Sequence, residues 1–166
     1  MLRFNSDHKF KIMQIADTQE IPAVSPDTLS LINNALDREK PDLVIFTGDQ
    51  IKGYSKKFKK DPVIIESTID ILVEPIAKRN IPFMVTYGNH DAQCGVDNRG
   101  QYKFYAKYDN FISGDLRNSD DVGTADIQIY SSTEDKPVFE LYIIDSHGKA
   151  KDGAGYAPVD KKQIEW

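Results

Sequence analysis

Three apolar segments of the chain end in polar side chains of types that bind metal ions. The first segment ends in Asp17 and Gln19, the second in Asp49, and the third in Asn89, His90 and Asp91. Carboxylate and amide oxygens are the ligands that hard divalent cations prefer, and imidazole exchanges protons near neutral pH. These residue types therefore predict a metal-dependent hydrolytic site.

The spacing of these residues along the chain suggests how they would meet. In open α/β sheets, ligands bind at the carboxyl ends of the strands, so we expect Asp17, Asp49 and Asn89 to share a site. Asp49 is the expected bridging ligand, because its strand should lie between the other two. Two divalent ions roughly 3.5–4 Å apart can hold a hydroxide between them and clamp a phosphoryl group. Such a site needs no serine or cysteine nucleophile.

His90 and Asp91 have different expected roles. His90 is the expected catalytic residue, since an imidazole there can donate to a leaving-group oxygen or stabilise charge on a phosphate. Asp91 is expected to support the site by holding the turn or an imidazole, rather than to bind metal. Any one strand-end Asp, taken alone, is better explained as a turn or cap residue. The combination with glycine and histidine favours the metal site.

The apolar pattern predicts alternating strands and helices in the first part of the chain. Strands are expected over residues 10–15, 43–46 and 81–86, with helices over 26–40 and 62–79. Such strand–helix–strand units imply parallel pairing with right-handed crossovers. The later pattern predicts an aromatic helix over 102–111, a hairpin of strands 125–131 and 138–144, and a last helix over 158–166.

The composition is that of a single globular domain. The 166 residues are 40% hydrophobic and carry 21 Lys and Arg against 26 Asp and Glu, which argues against nucleic acid as a partner. We find neither an apolar stretch long enough to span a bilayer nor a signal peptide, so we expect no membrane partner and a cytoplasmic location. The single cysteine, Cys94, excludes an internal disulfide and is expected to be a partly exposed loop thiol rather than a nucleophile.

A basic stretch over residues 52–60 follows the turn that carries Asp49. It contains five lysines interleaved with Tyr54 and Phe58. Two interpretations stay open: a solvated loop, or a surface that faces an anionic substrate.

Residues 17–19, 48–50 and 88–91, in this order with a helix between each pair, resemble the motifs of the calcineurin-like metallophosphoesterase superfamily. The similarity is closer to its purple-acid-phosphatase-like branch, and it runs from about Phe10 to the last residue. This resemblance implies an α/β fold with a four-layer α/β/β/α sandwich. It also implies hydrolysis of phosphomonoesters or phosphodiesters, with two divalent metal ions (Mn, Fe, Zn or Mg) and a hydroxide that they activate.

The resemblance also implies roles for individual residues. Asp17 would bind the first metal ion, Asp49 would bridge the two ions, Asn89 would bind the second ion and His90 would be the catalytic imidazole. Gln19 stands where the family usually has histidine, and an amide oxygen binds iron or zinc less firmly than imidazole does. This departure favours manganese or magnesium. His147 is a further candidate, either as a ligand or substrate contact or as an ordinary loop histidine.

The family's remaining metal-binding histidines come from loops that would follow the last residue of this chain. Residues 1–166 are therefore expected to form the N-terminal part of a single metallophosphoesterase domain with an incomplete sandwich. Two alternatives to an active phosphoesterase follow. One is a fragment that keeps the fold and binds at most one ion weakly, and the other is a homo-oligomer that associates through surface exposed by truncation.

Overall fold

The computed structural model describes residues 1–113, 122–150, 152–153 and 155–165. The described chain contains six strands and four α-helices. In chain order they are β1 (Leu2–Arg3), β2 (Ile12–Ile15), α1 (Pro26–Glu39), β3 (Leu43–Thr47), α2 (Pro62–Ala77), β4 (Phe83–Thr86), α3 (Asn98–Ala106), β5 (Ala125–Tyr130), β6 (Pro137–Ile143) and α4 (Lys161–Glu165).

The first sheet has the order β2-β3-β4, and all of its strands are parallel. Ile12 pairs with Leu43, and Thr47 pairs with Thr86, so the carboxyl ends of the three strands lie at one edge. The central position of β3 confirms the expectation that Asp49 follows the middle strand. Parallel strands need crossover connections, and α1 and α2 supply them.

The two crossover helices begin where the sequence signals predict and end one and two residues before the predicted ends at residues 40 and 79. Ser25 caps α1 by accepting the N–H of Asp27, and Asp61 caps α2 by accepting the N–H of Val63. In both helices proline occupies the first turn, where a missing N–H costs nothing. Lys40 ends α1 in a left-handed conformation, with its N–H bound to the carbonyl of Leu36.

The second sheet has the order β1-β5-β6 and packs face to face with the first. Successive residues of β3 point to opposite sides, as in any strand. Val44 and Phe46 join the core against the helices, whereas Leu43 and Ile45 join the core against the second sheet. Burial on both faces explains why β3 reads as an uninterrupted apolar run.

The α/β fold is confirmed, with helices on one side of a parallel sheet and a second sheet on the other. The described residues thus form three of the four predicted layers. After β6, the described chain adds only α4, whose Gln163 donates to the carbonyl of Asp145 at 2.7 Å and to Thr124 Oγ1 at 2.8 Å.

Several element boundaries differ from the predictions, among them the start of β4, which is at Phe83 rather than at residue 81. The first strand begins at Ile12 rather than at residue 10. The aromatic helix runs over Asn98–Ala106, because Asp97 caps it by accepting the N–H of Gly100. Phe111 lies outside that helix in an extended segment beside β4, where Ile112 N–H donates to the carbonyl of Phe83 at 2.8 Å. The last helix covers only Lys161–Glu165, and the predicted end at Trp166 lies outside the described residues.

β1 was not predicted, because two residues carry too little pattern to be recognised. It pairs parallel to β5 through Leu2 and Arg3. At the other side of this sheet, β6 exposes the apolar side chains of Val138, Phe139 and Tyr142. Self-association through this edge stays a prediction. None of the helices in the described ranges has the length and apolar character needed to cross a membrane.

Helix α1 offers a matched test of the core. Leu36 is 1% exposed and Leu31 is 70% exposed, although both are leucines of the same helix. Leu36→Ala should lower the free energy of unfolding by about 3 kcal/mol, because it leaves a cavity between α1 and the first sheet. Leu31→Ala should change it by less than about 0.5 kcal/mol. Urea denaturation measures both, and equal losses would contradict the packing described above.

Candidate active site at the carboxyl edge of the first sheet

The turns after β2 and β3 are joined by backbone hydrogen bonds. Asp17 N–H donates to the carbonyl of Gly48 at 3.1 Å, and Gln19 N–H donates to the carbonyl of Asp49 at 2.9 Å. Glu20 and Ile51 then form a parallel bridge that continues this pairing past the strand ends. The residues that carry the candidate ligands Asp17, Gln19 and Asp49 are therefore held side by side.

Asp91 joins the turn after β3 to the turn after β4. Its Oδ2 accepts the N–H groups of Asp49 at 2.7 Å and Gly88 at 2.8 Å, and its Oδ1 accepts that of Ile51 at 3.3 Å. The side chain is completely buried, and burial raises the pKa of Asp91 to about 6, although the three N–H donors lower it. Asp91 therefore holds the turns, and the alternative expectation that it holds an imidazole is not seen in its contacts.

Two glycines let these turns approach each other closely. Gly48 adopts a φ of 106°, and a Cβ added there would lie 2.5 Å from the backbone nitrogen of Gly88. A side chain at Gly88 would in turn overlap the carboxylate of Asp49. Glycine is thus required on both sides of the contact, which explains its place before Asp49 and before Asn89.

In the described part of the chain, the carboxylate of Asp49 binds the backbone through only one of its two oxygens. Its side chain is 7% exposed, and its Oδ1 accepts the N–H of His90 at 2.9 Å. Within the described ranges its Oδ2 accepts no hydrogen bond. A carboxylate oxygen that accepts no hydrogen bond from these residues is available to bind a cation, which is consistent with a role as a metal ligand.

The backbone is strained at three of the candidate ligands. Asp17, Gln19 and Asp49 have φ angles of 53°, 44° and 53°, in the left-handed region that side chains with a Cβ seldom adopt. Such strain clusters at functional sites, where the surrounding fold maintains it. Here the hydrogen bonds between the turns maintain it.

The available donors suit a hard cation. Asp17 and Asp49 offer carboxylates, and Gln19 and Asn89 offer amide oxygens from the adjoining turns. In the part of the chain that is described, no three His, Cys, Asp or Glu side chains cluster as a metal centre. An oxygen set of this kind fits manganese or magnesium better than zinc, which prefers nitrogen and sulfur.

His90 lies beside Asp49 and is contacted on two sides. Its Nδ1 is 3.2 Å from Oε1 of Gln93, and its ring packs against Tyr54 with 4.7 Å between ring centroids. Lys52 Nζ lies 5.2 Å from the Tyr54 ring centroid, which is a cation–π distance. Tyr54 O–H also makes a long contact of 3.5 Å with Oε1 of Gln19.

Different residues of the basic stretch over residues 52–60 fit the two interpretations, a surface near the substrate and a solvated loop. Tyr54 packs against His90 and Lys52 lies over the ring of Tyr54, whereas Phe58 is buried in the core and Lys59 is exposed. Sequence reasoning singled out neither Tyr54 nor Gln93 as a site residue. For Gln93 a signal existed, since it follows His90 by three residues and 3₁₀ spacing places such pairs on one face.

His147 lies elsewhere among the described residues. It follows β6, donates its backbone N–H to Asp145 Oδ1 at 2.7 Å, and has Nε2 3.8 Å from Asp160 Oδ2. It lines a cavity of about 650 Å³ together with Lys149 and Asp160. None of its contacts within the described ranges reaches Asp17, Asp49 or Asn89. Its role as a metal ligand stays a prediction.

Cys94 is buried rather than partly exposed, which corrects the expectation. It is 2% exposed, and its Sγ receives a contact from Gln101 Nε2 at 3.5 Å and lies 3.6 Å from the carbonyl of Val96. The loop between Asp91 and α3 folds inward, so that the thiol joins the core. Burial raises the pKa of the Cys94 thiol, which keeps it protonated and unreactive.

The chain is similar to known phosphoesterases. A family described as calcineurin-like phosphoesterase matches residues 10–164. Phosphatase DCR2 of Saccharomyces cerevisiae is 31% identical over 99% of this chain and 32% of its own length. Two Arabidopsis thaliana proteins, called probable inactive purple acid phosphatases 14 and 29, are 28% and 27% identical over 93% and 87% of this chain, and over 44% and 42% of their own lengths. The chain thus spans less than half the length of these relatives.

The hydrogen bonds of Asp91 can be tested by removing its carboxylate. Asp91→Ala should lower the free energy of unfolding by about 3 kcal/mol or more, because three N–H groups lose their acceptor in a buried position. Asp27→Ala removes an exposed carboxylate of α1 and should cost less than about 1 kcal/mol. Thermal and urea unfolding of both variants measure the difference. Equal stabilities would show that Asp91 does not hold the turns together.

The buried thiol gives a second test. Iodoacetamide should modify Cys94 only slowly in the native protein at neutral pH, because the raised pKa leaves little thiolate and the side chain is enclosed. Modification should become complete after unfolding in guanidinium. Mass spectrometry of both samples measures the fraction alkylated. Rapid, stoichiometric labelling of the native protein would contradict the burial of this residue.

Proposed function

Because the chain belongs to the calcineurin-like phosphoesterase family, we propose that it is a metal-dependent phosphohydrolase whose site lies at the carboxyl edge of β2, β3 and β4. One observation supports this proposal above the others. Asp49 is nearly buried in the turn after the central strand, binds the His90 N–H through one oxygen and, among the described residues, has no donor for the other. On either side of it lie the turns that carry Asp17 and Asn89.

In this proposal the four oxygen-bearing residues would hold two divalent ions. Asp17 and Gln19 would be ligands of the first ion, Asn89 would be a ligand of the second, and Asp49 would be shared between them. When bound, such ions activate water and neutralise charge on the phosphate. Asp91 acts indirectly, since it fixes the backbone of Asp49 and Gly88 and thereby the spacing between the ligands.

His90 is the residue that we propose acts on the substrate. Its backbone N–H is bound to Asp49, so His90 lies next to the proposed bridging ligand in the fold. From there it can donate to the leaving-group oxygen or to a phosphate oxygen as negative charge develops. Lys52, which has no carboxylate partner within the described ranges, adds positive charge on the same side through its contact with Tyr54.

The proposed substrates are phosphomonoesters or phosphodiesters, as is typical of the family. A cytoplasmic location and self-association both remain predictions from the sequence. The chain spans only part of its relatives, so the activity of the whole protein is likewise a proposal.

A metal-binding but non-hydrolytic protein is the second candidate function. Two relatives carry the word inactive in their names, and Gln19 provides a weaker first-metal ligand than histidine. Isothermal titration with manganese separates the two. Two tightly bound ions favour the hydrolase, whereas one weak ion or none favours the second candidate.

Turnover of p-nitrophenyl phosphate with added manganese tests the roles of the ligand and of the histidine. Asp49→Asn should weaken the binding of both ions and abolish turnover, because it removes the bridging charge. His90→Gln should lower kcat by about 100-fold or more while leaving manganese binding unchanged.

The matched control for the histidine is His8→Gln. His8 is exposed and contacts Ser132 on the second sheet side, so its replacement should leave both kcat and metal binding unchanged. If His90→Gln is as active as the wild type, His90 has no role in the mechanism. If Asp49→Asn binds manganese as the wild type does, the proposed metal site is wrong.

A further inference from the structure

The orientation of the Gln93 amide is set by two neighbours. Its Nε2 donates to the backbone carbonyl of Asn89 at 3.0 Å. The amide oxygen of Gln93 could not occupy the position of Nε2, because an oxygen there could not donate a hydrogen bond to that carbonyl. The other end of the amide, Oε1, must then face His90 Nδ1, from which it is 3.2 Å away. An amide oxygen only accepts hydrogen bonds, so Nδ1 has to carry the proton.

We propose that Gln93 is a positioning residue that holds the neutral imidazole of His90 as its Nδ1–H tautomer and directs Nε2 toward the phosphate ester. The catalytic role of this tautomer rests on the proposed function. The tautomer itself follows from the hydrogen bonds of Gln93 alone. Free neutral histidine favours the proton on Nε2, so the structure reverses the preference of the isolated side chain. Which nitrogen is protonated follows from the hydrogen bond that the other one makes.

The local backbone explains how an exposed glutamine takes this role. Asp91–Cys94 forms a 3₁₀ turn, and Gln93 N–H donates to the carbonyl of His90 at 3.0 Å. In a 3₁₀ turn, side chains three residues apart eclipse one another, which brings the amide of Gln93 beside the ring of His90. The same turn begins with Asp91, so one short segment supports both the strand-end turns and the imidazole.

Tyr54 limits the ring from another side. The two ring planes meet at 61° with 4.7 Å between centroids, an edge-to-face contact that opposes rotation of the imidazole. With Nδ1 bound to Gln93 and the ring packed against Tyr54, Nε2 is the remaining polar atom. It makes no hydrogen bond to any residue that the structure describes. Nε2 is therefore the nitrogen that faces the substrate. In the neutral Nδ1–H tautomer Nε2 only accepts a proton, and after taking one up it can donate that proton to a leaving-group oxygen and return to the same tautomer.

The nitrogen chemical shifts of the imidazole test the tautomer directly. The spectrum of the metal-free protein at alkaline pH, where histidine is neutral, should show a protonated Nδ1 and an unprotonated Nε2 for His90. Gln93→Leu should move the population toward protonated Nε2. Gln93→Glu keeps an acceptor oxygen and should retain the wild-type pattern. The spectrum of His90→Gln assigns the signals, because the chain has only three histidines.

Gln128→Leu is the matched control, since it removes an exposed glutamine of β5 and should change neither the His90 spectrum nor turnover. A wild-type spectrum with protonated Nε2, or an unchanged spectrum in Gln93→Leu, would overturn the proposal. If the wild type hydrolyses p-nitrophenyl phosphate, Gln93→Leu should lower kcat by about tenfold with little change in KM. No turnover in the wild type would count against the proposed function and would leave the tautomer result standing.

Discussion

The candidate site depends on one buried carboxylate. Asp91 gathers three N–H groups from two different turns, and no backbone pairing of the sheet could do the same, because the turns lie beyond the last paired residues of β3 and β4. Because the Asp91 side chain accepts these N–H groups, the backbone can leave the sheet in two irregular turns that lie close together. Burial of the Asp91 charge is possible because three N–H groups donate hydrogen bonds to it.

The rest of the fold provides a rigid base for these turns. β3 and β4 are buried on both faces, between helices on one side and the second sheet on the other, so their ends have little freedom to move. The strained backbone of Asp17, Gln19 and Asp49 is thus held by hydrogen bonds between the turns, and the well-packed interior beneath fixes the strands from which these turns leave. Side chains at the ends of packed strands can be kept within the narrow range of positions that phosphoryl transfer requires.

The sequence predicted the parts of this structure that follow from periodicity and capping. Strong local patterns mark the helices α1 and α2 and the hairpin of β5 and β6. The central place of β3 follows from the alternation of strands and helices along the chain. β1 did not, since its pairing with β5 joins residues far apart in the chain. At the site, the strand-end position of Asp49 could be read from the sequence. The contact of Tyr54 with His90 could not, because it depends on how two loops pack against each other. The contact of Gln93 is local, and its spacing of three residues from His90 is a signal only once a 3₁₀ turn is known to form there.

The left-handed backbone at Asp17 and Asp49 has a consequence for how such a site can vary. Aspartate and asparagine are the side chains with a Cβ that enter this conformation at the lowest cost. Exchange between the two alters the charge while leaving the turn intact, so ligand strength can drift in evolution without a penalty in folding. A protein could in this way lose hydrolytic power and still retain the shape of a phosphoesterase.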